Sequence, residues 1–220
     1  MLVLASASPR RRELLIQAGF SFTVRPAHIP EDPFPNEDPI AYVTRLAREK
    51  AQAVFHDLLS EESAPPQVVV GADTTVTLDN HILGKPSDPS DAARMLRLLS
   101  GRTHRVITGV AVVTADFTEV AAEVTAVRFL TLSEEEIAAY VATGEPMDKA
   151  GAYAIQGLAS KFVERIEGDY FNVMGLPVAL VYRRLREVPS PQRPIHRRDA
   201  ETAEISAENT KTSSTRCTPK

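Results

Sequence analysis

The sequence predicts an α/β fold with a mixed twisted sheet and flanking helices. Strand-like apolar runs alternate along the chain with segments whose apolar residues recur at helical spacing. Two β-rich stretches, Val106–Val113 and Val120–Phe129, follow each other directly, as antiparallel neighbours do. The pattern is therefore not strict βαβ repetition, and no internal repeat is visible.

The elements follow in order. Leu2 to Ala5 reads as a short buried strand. A helix comes next, with Ser8 at its N-cap, Pro9 at the first helical position and Gly19 just past its end. Asp38-Pro39 announces a second helix. Ile40, Val43, Ala47 and Val54 recur there at helical spacing, while Arg45, Arg48 and Lys50 fall elsewhere on its surface. Val68 to Val70 is a buried-strand run ending at Gly71-Ala72-Asp73. Thr75 to Leu78, the pair Asp79-Asn80, and His81 to Leu83 resemble a hairpin. Asp88-Pro89 starts a third helix carrying Ala92, Met95, Leu96 and Leu99, closed by Gly101. Ser133 to Glu136 is a capping box whose helix stops at Gly144. Phe162 to Ile166 is a further strand, and Pro177 opens a final helix running to about Arg186.

Composition sets limits on function. Of 220 residues, 43% are apolar and 25% charged, an ordinary globular balance. The net charge of −4 argues against an electrostatically driven nucleic-acid binder, so any phosphate binding must come from local basic clusters. From Pro189 onward the chain is mainly Pro, Ser, Thr, Glu, Lys and Arg, too polar to offset its ordering entropy. We expect one domain over residues 1–188 and a disordered tail over 189–220. The single cysteine, Cys217, lies in that tail and cannot form an internal disulfide. No apolar run approaches the roughly 20 residues that span a bilayer, and Met1–Ala5 is too short for a signal region. A cytoplasmic protein without a membrane partner is the expectation.

Two segments carry chemistry. Ser6-Ala7-Ser8 forms a small-residue loop between a strand and a helix N-terminus, where free N–H groups and the helix dipole favour an anion. Arg10, Arg11 and Arg12 place three guanidiniums in the same first turn. They oppose the dipole, a conflict that a polyphosphate would offset through arginine forks. The same turn also reads as a solvated basic turn whose serines only cap, and the glycines of a Walker A loop are absent. Lys50 and Lys85 are further positive charges, each also readable as a surface lysine. At the other segment, Asp73 follows a strand, where ligands bind in open α/β sheets, with Thr74 and Thr75 beside it. It suits a Mg²⁺ ligand or a general base, or simply a turn residue. Glu31, in the loop after Ile29-Pro30, is a second carboxylate of the same kind. Gln156, before Gly157, has an amide that can read a base edge, or else belongs to a surface loop. None of the five histidines shows metal-ligand spacing.

Seven fragments in order resemble the Maf family of nucleotide pyrophosphatases, over about residues 2 to 187. They are Leu4 to Leu15, Leu46-Ala47-Arg48-Glu49-Lys50-Ala51, Gly71-Ala72-Asp73-Thr74, Gly84-Lys85-Pro86, Ser100 to His104 with Thr108-Gly109-Val110, Lys149 to Gly157, and Asp169 to Pro177. Each alone is weak, and together they are specific. The resemblance implies two lobes around a central cleft, a fold like that of the inosine triphosphatases. It implies hydrolysis of a nucleoside triphosphate to the monophosphate and pyrophosphate, a divalent cation (Mg²⁺ or Mn²⁺) and a homodimer. Carried over by motif, Asp73 is the catalytic proton acceptor and also a metal carboxylate with Glu31. Ser6, Arg10, Arg11, Lys50 and Lys85 are phosphate contacts. Pro30 departs from the family's usual acidic residue, which weakens the carry-over to Glu31.

Arg10, Thr74 and Gln156 together resemble the branch acting on dTTP and UTP. The branch acting on 7-methyl-GTP has an aromatic in place of Arg10 and an acid in place of Gln156, which suits a cationic base. The alternatives are that specificity, or a non-catalytic nucleotide-sensing module linked to cell division. Single-stranded RNA binding is disfavoured by the acidic charge and the absence of tryptophan.

Overall fold

The computed structural model describes residues 1–60 and 68–189. The tail expected over 189–220, with Cys217, lies outside them from residue 190 on. Seven strands form one mixed sheet: β1 (Leu2–Ala5), β2 (Phe22–Val24), β3 (Val68–Leu78), β4 (His81–Leu83), β5 (Thr103–Val113), β6 (Thr118–Phe129) and β7 (Val163–Glu167). Their order is β2-β1-β3-β5-β6-β7, with β4 also on β3. β1 is parallel to β2 and to β3, and every other pairing is antiparallel. The helices are α1 (Pro9–Gln17), α2 (Pro39–Ser60), α3 (Pro89–Leu99), α4 (Glu134–Ala142), α5 (Tyr170–Met174) and α6 (Val178–Glu187). None of the described helices is long and apolar enough to cross a membrane.

Local signals placed most of these elements. Asp79 and Asn80 both take positive φ, 50° and 65°, as a two-residue type I′ hairpin turn requires. Both halves of the Ser133–Glu136 capping box are made, and Asp88 caps α3 by accepting the Asp91 N–H. Ser8 is the N-cap of α1, but its side chain caps nothing; its own N–H donates instead to Ser6 Oγ at 3.2 Å.

Several expectations need correction. β3 is one continuous strand of 11 residues, not two short ones, because β5 pairs with it without a break from Val69 to Thr77. Asp73 therefore sits in mid-strand and not at a strand end. Lys50 is buried, with a relative exposure of 7%, and is not a surface lysine. Ile40, placed on the apolar stripe of α2, is 42% exposed. The last strand also starts one residue later, with Phe162 in the 3₁₀ turn Leu158–Phe162.

The burial of Lys50 follows from two glycines. A Cβ on Gly71 would lie 2.2 Å from the Ala47 carbonyl oxygen, and one on Gly109 2.3 Å from that of Val43. With no side chain at either position, the α2 backbone lies directly on β3 and β5.

Residues Met1–Glu187 form one compact unit with two apolar cores that share β3 and β5. One core joins β1 and the Val69 end of β3 to α2, through Val3, Ala47, Val54 and Phe55. The other joins the Val76 end of β3 to α3 and α4, through Leu96, Phe129, Ile137 and Phe162. The two lobes expected around a cleft take this form.

Candidate active site

The site lies at a gap in the sheet. On one edge, β3 pairs with β1 over Val68–Gly71 and with β4 over Val76–Leu78. Residues 72–75 are left without a strand partner there, while β5 covers the opposite edge. A backbone carbonyl in such a gap needs a donor. The Ala72 oxygen finds one in Arg11 Nη1, at 2.9 Å.

Arg11 closes the gap from several sides. Its Nη1 also donates to Ser6 Oγ at 3.1 Å, its Nη2 to Thr74 Oγ1 at 2.9 Å, and its Nε to the Gly175 carbonyl at 2.8 Å. Four of its five N–H groups are thus committed inside the protein. Burial pulls the guanidinium below its ordinary pKa, with Asp73 acting against that shift. Thr74 is similarly occupied, its hydroxyl meeting Thr108 Oγ1 at 2.9 Å and the Gly175 carbonyl at 3.2 Å. Both therefore act first as the frame of the cleft, which the sequence did not suggest.

Side chains alternate along β3, so Asp73 points to the α2 face, opposite Thr74. Lys50 meets it there at 2.7 Å from Oδ1, and also lies 2.7 Å from Glu31 Oε1. One buried ammonium thus joins two carboxylates, Asp73 at 10% side-chain exposure and Glu31 at 51%. Burial pushes the Glu31 pKa up, but the Lys50 hydrogen bond and charge, with Lys85 and Arg11, outweigh it and leave it lowered. Tyr42 holds the Glu31 loop from α2, donating to the Glu31 carbonyl at 2.8 Å. Burial, then the charges of Asp73 and Glu31, push the Tyr42 hydroxyl up to about 12. It remains a donor at neutral pH.

These groups line a cleft of about 430 Å³ that gathers all nine residues singled out from sequence: Ser6, Arg10, Arg11, Glu31, Lys50, Asp73, Thr74, Lys85 and Gln156. Arg10 reaches across it to Asp148, with Nη1 3.3 Å from Oδ2. Burial raises the Asp148 pKa, and Lys149 and Arg10 more than reverse that. Lys85 and Gln156 are exposed at the rim. Arg12 does not line this cleft; it lines a depression beside β2, so the three arginines do not act as one cluster.

Sequence reading missed the parts played by Tyr42, Asp148 and Lys149. Lys149 stood only at the start of one of the seven fragments, and nothing in the local pattern marks Tyr42 or Asp148. Among the described residues no group of three or more His, Cys, Asp or Glu is placed to hold a metal ion. The carboxylates that line the cleft are Glu31 and Asp73, joined by Lys50, and Asp148, paired with Arg10.

Residues 1–188 match the family model of Maf-like proteins. The chain is 55% identical to the dTTP/UTP pyrophosphatase of Koribacter versatilis, over 84% of this chain and 93% of that protein. It is 53% identical to the dTTP/UTP pyrophosphatase of Geobacter sulfurreducens, covering 85% and 96%, and 48% identical to that of Bacillus pumilus, covering 83% and 93%. The solved structure of the Staphylococcus aureus Ham1 protein aligns with a TM-score of 0.46 at 14% identity, over 84% of this chain and 98% of that one.

Proposed function

Because this chain belongs to the Maf family, we propose that it hydrolyses dTTP and UTP to the nucleoside monophosphate and pyrophosphate, through its residues 1–188. That relatives at about 50% identity are dTTP/UTP pyrophosphatases supports the substrates. The observation that carries the chemistry is the Lys50 ammonium held 2.7 Å from both Asp73 and Glu31, in a cleft also lined by Arg10, Lys85 and the exposed amide of Gln156.

The polyphosphate lies toward Lys50, Lys85 and Arg10, with the Ser6 hydroxyl at the foot of the loop. Arg10 exchanges Asp148 for phosphate oxygens. A water attacks the α-phosphorus in line; its proton passes to the Asp73 carboxylate as the bond to the bridging oxygen breaks and pyrophosphate leaves. Lys50 orients Asp73 and offsets charge on the transferring group. Thr74 acts by holding Arg11, which fixes the loop that carries Ser6.

The carboxylates fit a hard divalent cation. Their oxygens already flank one positive charge, and the half-exposed Glu31 leaves room for water and phosphate as further ligands. Bound by Glu31 and Asp73, Mg²⁺ or Mn²⁺ would neutralise phosphate charge and acidify a water. Gln156 presents donor and acceptor to the uracil or thymine edge. The reading also includes action in the cytoplasm as a homodimer, which sedimentation of the purified chain would check.

The test is pyrophosphate release from dTTP, UTP, CTP and 7-methyl-GTP with Mg²⁺. The expected result is turnover of dTTP and UTP well above 7-methyl-GTP. Absence of pyrophosphate from every triphosphate would overturn the proposal.

A further inference from the structure

The turn that carries Gln156 is fixed from outside the cleft. Gln156 is exposed, and among the described residues its side-chain amide has no hydrogen-bond partner. Behind it stands Tyr140 of α4, buried at 3% exposure, its ring edge-on to Phe162 with centroids 5.5 Å apart. The Tyr140 hydroxyl accepts the Ala154 N–H at 3.2 Å and donates to Glu145 Oε1 at 2.8 Å. Glu145 in turn accepts the Leu158 N–H, at 3.0 Å on Oε1 and 3.2 Å on Oε2. The pair therefore grips the backbone two residues before Gln156 and two residues after it.

Two further features show that this grip is built in. The 3₁₀ turn Leu158–Phe162 has no side-chain cap of its own, so the Glu145 carboxylate supplies one from 13 residues away in sequence. Gly157 makes room for it, since a Cβ there would lie 2.5 Å from a Glu145 carboxylate oxygen. Glu145 also begins the short turn Glu145–Asp148, whose Asp148 meets Arg10.

We propose that Tyr140 and Glu145 are positioning residues for base selection, holding residues 154–158 so that Gln156 meets the pyrimidine edge in one register. This rests on the reading of Gln156 given above. An amide discriminates between bases only if its donor and acceptor are held in place, because a mobile amide turns to suit either pattern. Loosening the turn therefore reduces selectivity, while Asp73 and the phosphate contacts keep their geometry.

The experiment compares kcat and KM for UTP and CTP in the full chain and in Tyr140→Phe, Glu145→Ala, Glu145→Gln and Gln156→Ala, with melting temperatures. Tyr140→Phe keeps the ring and removes both hydroxyl bonds. The UTP-to-CTP ratio of kcat/KM should fall about tenfold or more in Tyr140→Phe and Glu145→Ala. Saturating kcat for UTP should change by less than about twofold, the loss lying in KM. Glu145→Gln, which keeps an oxygen for the same donors, should retain most of the ratio. If Tyr140→Phe does not fold, Glu145→Ala carries the test alone. An unchanged ratio in the folded clamp variants, with a collapsed ratio in Gln156→Ala, overturns the proposal alone. An unchanged ratio in Gln156→Ala overturns it together with the reading of Gln156.

Discussion

Replacing Gly71 with alanine tests how the fold delivers Lys50 to Asp73. The added methyl would stand 2.2 Å from the Ala47 carbonyl oxygen and 2.9 Å from the Ala51 nitrogen, both backbone atoms of α2. Ordinary contact begins at 3.4 Å, so the helix must retreat from the sheet by about 1.2 Å. Gly71 is not among the positive-φ residues, so alanine strains no dihedral and even gains about 0.4–1 kcal/mol by restricting the unfolded chain. Overpacking of this kind costs about 1–3 kcal/mol, which exceeds that gain in all but its mildest form. For a domain of this size each kcal/mol moves Tm by roughly 2–4 °C, so the expected fall is up to about 10 °C. Ala47 and Ala51 flank Lys50 on the same helix, so the ammonium is carried away from Asp73 on β3, while Tyr42 keeps the Glu31 loop with α2. A displacement near 1 Å costs on the order of a hundredfold in turnover. Thermal melting and a pyrophosphate assay read the two effects. Gly84→Ala is the stability control, since its methyl meets nothing within 4 Å and its melting point should hold or rise. A Gly71→Ala protein that melts with the parent and turns over at the parent rate would refute this account of the α2 contact.

Two predictions concern pH. Burial pulls the His104 pKa down to about 3, so the unfolded chain takes up a proton near pH 6.5 that the folded chain does not. Stability should fall as pH drops from 6.5 toward 3, and His104→Gln should flatten that part of a denaturant-midpoint profile; an unchanged slope would refute it. The Arg45 hydrogen bond lowers the Glu37 pKa despite burial, with Arg45 Nε 2.7 Å from Oε1. That contribution is present above the unfolded value and is lost as pH falls through the folded one. Glu37→Gln should thus be less stable than the parent at pH 7 and close to it at pH 2, as paired denaturation curves would show.

What was legible in the sequence was local. The strand–turn–helix at Ser6 to Arg10, the Asp79-Asn80 hairpin and the Ser133 capping box depend on neighbours a few residues apart, and sequence records those. The continuity of β3 depends on β5, some thirty residues later, so Gly71-Ala72-Asp73 resembled a strand end. The burial of Lys50 depends on what is missing from Gly71 and Gly109, which no helical periodicity of α2 reports. β2, three residues long, was too short to stand out. For the candidate site the residue types were readable, and the cleft gathers them; their division of labour was not. Arg11 looked like a phosphate clamp by composition, yet its acceptors Ala72 and Gly175 are main-chain carbonyls that residue identity does not disclose.

The most direct measurement is pyrophosphate release from UTP by Asp73→Asn at saturating substrate, alongside its melting curve. Asparagine keeps an oxygen for the Lys50 ammonium, so the fold should persist and the two effects separate. Loss of the proton acceptor should lower kcat by about 10²- to 10⁴-fold with the melting point little changed. A folded Asp73→Asn protein that releases pyrophosphate at the parent rate would contradict the account.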